Sequence, residues 1–196
     1  KRTRCAMNFL LDCHSHSNCS FDADNSVEEM CQRAMELGLK VYAITDHCEC
    51  NGYYEAEYYG KQPSSYETFG CGAAVEKSIQ ETRRMQEKLE GRLNLLCGVE
   101  LGQATFDLEA AEKAAADTRL DYIIGSMHQA PGEYDFYFLD FSKQEMDIPK
   151  TILAYYQEVY KLCRWGKFDT LAHLTYPLRY IEGDYGIQVD LKESRE

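Results

Sequence analysis

The sequence predicts an α/β fold built on a parallel sheet, because short apolar strand segments alternate with helical segments along the chain. The strand segments are nearly continuous apolar runs, as is typical of strands that helices cover on the faces of a sheet. No GxGxxG or GxxxxGK[ST] run follows the first strand, so neither a dinucleotide fold nor a P-loop is supported. The alternation leaves two architectures open: a doubly wound sheet and part of a barrel.

The elements follow one another without a repeat, a low-complexity tract or a linker. Ser26 and Glu29 form a capping box that starts the first helix, and Gly38 ends it. In the helix expected at 76–89, Ile79, Met85 and Leu89 are expected in the core. The first helix carries the apolar stripe Val27, Met30, Cys31, Ala34 and Leu37. Strands are expected at 9–13, 41–45, 93–99, 122–127 and 168–172, and helices at 26–37, 76–89, 108–116 and 152–165.

Composition narrows the class of protein. A chain of 196 residues with 44% hydrophobic residues is large enough for one domain, expected to span 1–196. The net charge of −12 argues against a nucleic-acid partner, which usually requires a basic face, but allows a small anionic substrate beside a metal ion. No apolar stretch reaches the ~20 residues of a membrane helix. The nine cysteines are scattered without a CxxC pair, which favours buried thiols in a reducing cytoplasm over disulfides.

All five histidines lie just after a predicted strand. Catalytic groups of parallel α/β folds gather at this edge of the sheet, where the loops from several strands meet. A lone histidine is more often a structural or surface residue, but five at equivalent positions indicate a site. The set is His14 and His16 after strand one, His47 after strand two, His128 after strand four and His173 after strand five, with Glu100 after strand three.

The spacing of these residues favours metal binding. His14 and His16 are two residues apart, so on extended backbone their rings point to the same side and can bind one ion. Imidazole suits zinc, iron and manganese, and a carboxylate such as Glu100 can bridge two ions. Two closely spaced ions are typical of phosphoryl transfer.

Three aspartates are candidates for supporting roles. Asp12 and Asp46 each precede a potential ligand and are interpreted as carboxylates that orient an imidazole, with direct metal binding an equal alternative for Asp46. Asp22 follows the HxH motif and is either a ligand or a turn residue.

These motifs together resemble those of the PHP superfamily (polymerase and histidinol phosphatase), over residues 9–180. The resemblance rests on His14-Ser15-His16 with Ser20, Thr45-Asp46-His47, Gly98-Val99-Glu100, Ser126-Met127-His128 and His173-Leu174-Thr175. It is strongest to the histidinol-phosphatase branch, which implies a distorted TIM-like (β/α)7 barrel with two or three divalent metal ions (Zn, Fe or Mn).

The resemblance also implies individual roles. His14 and His16 would hold a first metal, Glu100 would bridge to a second that His128 and His173 complete, and His47 would belong to a third, near Asp22. Of these, His14, His16, Glu100, His128 and His173 would carry catalysis by a metal-activated water. The segment Tyr176-Pro177-Leu178-Arg179-Tyr180 resembles the phosphatase branch, in which Arg179 would bind the substrate phosphate; an exposed arginine without that role is the alternative.

One feature departs from the family pattern. The family closes its site with a late Asp-x-His, but no histidine follows His173, and Asp184 and Asp190 do not match. A full barrel also typically needs about 250 residues. The resemblance therefore implies that C-terminal strands are missing from the sequence, and it predicts a weak third metal site. A partner chain that covers the gap is the alternative expectation.

The function expected from the resemblance is hydrolysis of a small phosphomonoester, with L-histidinol phosphate the foremost substrate in histidine biosynthesis. The alternatives are a PHP phosphoesterase acting on nucleotides or phosphotyrosine, and a metal-binding domain without turnover. No pattern indicates an oligomeric state. The loop 48–72 carries Tyr53, Tyr54, Tyr58, Tyr59 and Tyr66 and is expected to cover the site, whereas a plain surface flap is the alternative.

Overall fold

Five parallel strands form one sheet in the computed structural model, which describes residues 10–50, 72–143 and 146–191. The strands lie in the sheet in the order of the chain, and the sheet curls into an incomplete TIM-like barrel. A doubly wound sheet would reverse its strand order at a switch point, so the sequential order decides between the two predicted architectures. The strands are β1 (Leu11–Asp12), β2 (Val41–Glu49), β3 (Asn94–Gly102), β4 (Tyr122–Ser126) and β5 (Thr170–Leu171).

Helices connect successive strands. They are α1 (Val27–Glu36), α2 (Ala73–Lys88), α3 (Leu108–Ala115), α4 (Ile148–Trp165) and the single turn α5 (Tyr176–Leu178), which continues into a π-helical turn (Arg179–Asp184). A short 3₁₀ helix (Phe136–Phe138) lies between β4 and α4. In the described ranges no helix combines the length and the apolar character needed to cross a membrane.

The capping box predicted for α1 is present. The Ser26 side chain accepts a hydrogen bond from the Glu29 N–H, and the Glu29 carboxylate accepts one from the Ser26 N–H at 2.8 Å. Gly38 follows the helix with a φ of +78°, a conformation that glycine adopts without strain. Leu37 was expected in the apolar stripe, but it is 54% exposed because the helix has already ended at Glu36.

Two apolar cores flank the sheet. One packs α1 and α2 against β2 and β3, and it includes Met85 and Leu89, as the sequence predicts. The other lies mainly between β3, α4 and the π-helical turn, and it includes Ile79, Ile152 and Ile181. These cores fix the strands and therefore the positions of the side chains that follow them.

Two helices, α2 and α4, and two strands, β2 and β3, extend beyond their predicted limits. Helix α4 begins four residues early because the Asp147 side chain caps it and Pro149 occupies its first turn. Strand β2 continues to Glu49, so the predicted loop begins too early at Cys48. The rest of that loop, 51–71, with its tyrosines, lies outside the described residues. No disulfide joins cysteines within the described ranges.

Candidate metal centre

Extended backbone places His14 and His16 on one side of the chain. Although β1 is short, Ser15 continues the pairing with β2: its N–H donates to Thr45 Oγ1 at 3.0 Å, and the Thr45 N–H donates to the Ser15 carbonyl at 2.8 Å. Alternation along this backbone turns His14 and His16 to the same side. Their Nε2 atoms are 3.2 Å apart.

Glu100 lies at the centre of the cluster and is fully buried. Its Oε1 is 3.1 Å from His128 Nε2 and 2.9 Å from His173 Nε2. Its Oε2 is 3.3 Å from His14 Nε2 and 3.0 Å from His16 Nε2. Each carboxylate oxygen therefore faces one pair of histidines.

His47 and Asp22 lie beside this centre. The register between β2 and β3 pairs His47 with Glu100. Asp22 is 3.0 Å from His16 Nδ1 and 3.5 Å from His47 Nε2. The structure thus brings all seven predicted ligands together. Three overlapping groups have ligand atoms within 4.8 Å of one another: His14, His16 and Glu100; His16, Asp22 and His47; and His47, Glu100 and His128.

The spacing of these atoms fits metal ions better than hydrogen bonds. Two ligands about 2.1 Å from one tetrahedral ion lie roughly 3.4 Å apart. His14 and His16 Nε2 are 3.2 Å apart, and His128 and His173 Nε2 are 3.4 Å apart. Glu100 Oε2 is buried yet receives no hydrogen bond of acceptable geometry. An ion between this oxygen and the facing nitrogens of His14 and His16 would satisfy all three atoms.

Asp46 supports the backbone rather than an imidazole. Its buried carboxyl group accepts hydrogen bonds from the Ser17 N–H at 2.6 Å and from the hydroxyls of Ser17, Ser20 and Ser78 at 2.7, 2.8 and 2.5 Å. The Ser20 hydroxyl in turn accepts from the His47 N–H at 3.0 Å. The interpretation of Asp46 as a carboxylate that orients a ring is therefore wrong, because the serines occupy its oxygens.

The same interpretation of Asp12 is also wrong. The Asp12 carboxylate accepts a hydrogen bond from the backbone N–H of His14 at 3.3 Å, and not from its ring. A short side chain two residues before a donor bonds the local backbone more readily than a ring that points away from it.

Glu49 is a site residue that the sequence reasoning missed. Its Oε1 is 2.7 Å from His47 Nδ1 and 3.2 Å from His128 Nδ1. The residue was assigned to the loop after strand two. Its position two residues after His47 was the signal that could have found it, because extended backbone puts both side chains on one side.

Asp135 and Tyr176 form a second buried polar contact beside the histidines. The Tyr176 hydroxyl donates to Asp135 Oδ1 at 2.9 Å, and the Tyr180 hydroxyl donates to Tyr176 at 3.0 Å. The Tyr176 ring centroid is 4.9 Å from those of His128 and His173. No local pattern predicts this contact, because Asp135 comes from the loop after β4 and Tyr176 from α5.

A cavity of about 730 Å³ opens above the cluster. The predicted ligands form its floor, and aromatic side chains form much of its wall. The exposed Arg179 lies on this wall, with its guanidinium carbon 5.7 Å from the centre of the Tyr180 ring. The aromatic lining residues are Phe21, Tyr137, Phe138, Tyr176 and Tyr180.

Opposite charges shift the pKa values of the buried groups. Burial would lower the pKa of His47, but the Glu100 charge and hydrogen bonds with Asp22 and Glu49 raise it to about 10. Burial also opposes protonation of His128, yet Glu100 and Glu49 raise its pKa well above the ordinary value. Burial would raise the pKa of Glu49, but His128 and His47 lower it to about 2. In the metal-free protein these rings therefore hold protons at neutral pH.

Zinc affinity is expected to fall as the pH decreases. A metal ion binds neutral imidazole, so binding must displace the protons that the raised pKa values of His47 and His128 retain at neutral pH. Lower pH strengthens this competition, and higher pH weakens it. Calorimetric titration with zinc between about pH 6 and pH 8, in buffers of different ionisation enthalpy, should show proton release and tighter binding at the higher pH. Affinity that is independent of pH would contradict this.

Two curated proteins are similar to this chain in sequence. The probable histidinol-phosphatase of Deinococcus radiodurans is 27% identical over 176 residues, which cover 89% of this chain and 64% of that protein. The probable histidinol-phosphatase of Thermotoga maritima is 24% identical over 187 residues, which cover 94% of this chain and 62% of that protein. The chain thus spans somewhat less than two thirds of the length of these curated relatives.

Solved structures share the fold. The histidinol phosphate phosphatase of Lactococcus lactis, crystallised with zinc, L-histidinol and phosphate, matches with a TM-score of 0.70 at 20% identity, over 95% of this chain and 65% of that one. The putative histidinol phosphatase of Listeria monocytogenes matches with a TM-score of 0.57 at 18% identity, over 78% of this chain and 60% of that one. The family model for the PHP domain matches residues 12–194. The chain therefore belongs to the PHP domain family.

Proposed function

We propose that the chain is a metal-dependent phosphomonoester hydrolase whose substrate is L-histidinol phosphate. The observation that carries the proposal is the position of Glu100, whose two oxygens each face a pair of histidine nitrogens at the floor of an open cavity. The two curated relatives are named as probable histidinol-phosphatases, which supports the choice of substrate.

Two or three divalent ions (Zn, Fe or Mn) would bind in the cluster. His14 and His16 would hold one, His128 and His173 a second, with Glu100 between them; His47 and Asp22 would contribute to a third. Bound ions would supply a water of lowered pKa and neutralise phosphate charge. The residues would hold the ions in a rigid arrangement, because the register of β2 and β3 fixes Glu100 beside His47.

The cavity wall would hold the organic part of the substrate. A cavity of about 730 Å³ suits a small molecule, and its aromatic rings can pack against an imidazole. The Tyr176 hydroxyl is held by Asp135, which fixes the ring beside His128 and His173. Burial and the Asp135 charge raise the pKa of Tyr176, so its hydroxyl stays a neutral donor.

Arg179 is expected to bind the substrate phosphate. Replacing it with methionine should raise KM for L-histidinol phosphate roughly 10-fold or more, because a charged hydrogen-bond donor to the phosphate is lost. Steady-state kinetics would measure the effect. The matched control is Arg164→Met, which removes an exposed arginine from the end of α4 and should leave KM unchanged. An unaltered KM in Arg179→Met would show that Arg179 has no such role.

A substrate panel tests the proposed function. Phosphate release from L-histidinol phosphate, nucleoside monophosphates, phosphotyrosine and an aryl phosphate would be measured with zinc, manganese and iron supplied separately. We expect the highest kcat/KM for L-histidinol phosphate and no turnover after chelation. Preference for a nucleotide or phosphotyrosine would support the alternative phosphoesterases. Metal binding without turnover of any member would favour a domain that binds metal without catalysis.

A further inference from the structure

Glu49 contacts two histidines with a single oxygen atom. Its Oε1 lies 2.7 Å from His47 Nδ1 and 3.2 Å from His128 Nδ1, and all three side chains are buried. We propose that Glu49 is a positioning residue that aligns both imidazoles for metal binding and so couples the two parts of the cluster. This inference rests on the metal binding assumed in the proposed function.

Each contact involves the Nδ1 atom of a ring whose Nε2 atom faces another member of the cluster. His128 Nε2 faces Glu100 Oε1 at 3.1 Å and His173 Nε2 at 3.4 Å, while its Nδ1 faces Glu49. His47 Nε2 faces Asp22 at 3.5 Å, and its Nδ1 also has a longer contact of 3.5 Å with Glu100 Oε2. A carboxylate that accepts Nδ1–H leaves the Nε2 lone pair for a metal and fixes the direction of the ring.

The sheet holds Glu49 in place. Glu49 is the last residue of β2, and it pairs with Gly102 in β3. A Cβ atom built at Gly102 would overlap the Glu49 carboxyl group, so only a residue without a side chain leaves room for it. Because Glu49 pairs with Gly102 at the end of β2, the sheet fixes the backbone that carries this carboxylate.

Burial of Glu49 is difficult to explain by stability alone. Its Oε2 is buried and accepts no hydrogen bond from the described residues. An unsatisfied buried carboxylate oxygen destabilises the folded protein. The three groups of potential metal ligands found in the described part of the chain do not include Glu49 either. A buried carboxylate whose polar contacts within the described residues are with two ligand rings is best explained by its action on those rings.

The shared oxygen predicts a joint effect on the cluster. His47 also lies with His16 and Asp22, and His128 also lies with His173, while both rings share one group with Glu100. Removing the Glu49 charge should therefore loosen rings on both sides at once. Within the described part of the chain Asp22 pairs with His16 and His47, so its loss should weaken one side alone.

Zinc titration of the metal-depleted full chain tests the inference. Glu49→Gln should bind zinc about 10- to 100-fold more weakly, with unchanged stoichiometry at saturating zinc, because outer carboxylates tune affinity without being ligands. Glu49→Asp should recover part of the affinity by restoring the charge. The matched control is Glu158→Gln, because Glu158 is a buried glutamate on α4 that bonds Thr105 at 3.0 Å, away from the cluster. Its zinc affinity should equal that of the wild type.

Nitrogen-15 NMR of the zinc-loaded protein gives a second readout. Its measurement on the wild type does not depend on whether a variant folds. Wild-type His47 and His128 should both carry a proton on Nδ1 in a strong hydrogen bond, and Glu49→Gln should shift both signals. Wild-type rings protonated on Nε2 would overturn the inference. So would Glu49→Gln with wild-type affinity, or with one zinc fewer at saturation, since the latter would make Glu49 a ligand. A wild-type protein that binds no zinc would instead refute the proposed function, and the inference with it.

Discussion

Replacing Glu100 with glutamine is expected to remove bound metal and lower phosphatase activity by roughly 100-fold or more. This loss is larger than the one expected for a carboxylate that contacts a ligand ring but does not bind the metal. Each oxygen of Glu100 faces a different pair of histidine nitrogens, so one substitution affects both ion sites. Glutamine keeps the shape but presents one N–H₂ group where an anionic oxygen is needed. Elemental analysis after dialysis and phosphate release from L-histidinol phosphate would measure the two effects.

Two comparisons make the Glu100 result specific. Glu158→Gln neutralises another buried glutamate and should leave metal content unchanged. His173→Ala removes one ligand from one side of the cluster and should be less damaging than Glu100→Gln. A Glu100→Gln protein with both ions and near-normal turnover would exclude the bridging role.

Replacing Asp46 with alanine is expected to destabilise the protein by roughly 3 kcal/mol or more, because buried donors lose their acceptor. Asp46 accepts four hydrogen bonds, and one of them comes from the Ser17 backbone, which cannot turn to another partner. The loss should also shift His16 and His47, because Ser17 follows His16 and Ser20 holds the His47 N–H. The denaturant concentration at the midpoint of unfolding and the zinc affinity would both fall.

Ser78→Ala is the matched control for Asp46. It removes one of the four donors and leaves the carboxyl group in place, so the cost should be about 1 kcal/mol, as for a single hydrogen bond. Zinc affinity should not change, because Ser78 lies on α2 and its hydroxyl donates to Asp46 rather than to a histidine. Equal stability of Asp46→Ala and wild type would show that this network does not hold the site together.

The order of strands and helices could be predicted from local pattern. Strand β3 and helix α1 show it most clearly. A buried apolar run marks the strand and a capping box marks the start of the helix, and each signal is contained in a few neighbouring residues. Element ends were less predictable. Strand β2 extends through His47 and Glu49 because pairing with β3 continues beyond the apolar run, and this pairing is a tertiary property.

The histidines of the site could be predicted because each lies in the last residues of a strand of the same sheet or just after it. Their motifs also carry the family resemblance, which the match to the PHP domain over residues 12–194 confirms. The partners of Asp46, Asp135 and Tyr176 could not be predicted. Those contacts join segments far apart in sequence, such as Asp46 with Ser78 and Asp135 with Tyr176, and only the packing of the loops brings them together.

The most direct test is anomalous X-ray diffraction from crystals of the protein grown with zinc. Data collected at the zinc absorption edge should show strong peaks on both sides of Glu100, one beside His14 and His16 and one beside His128 and His173. Anomalous peaks confined to the protein surface, with none within bonding distance of Glu100, would contradict the assignment of this cluster as a metal centre.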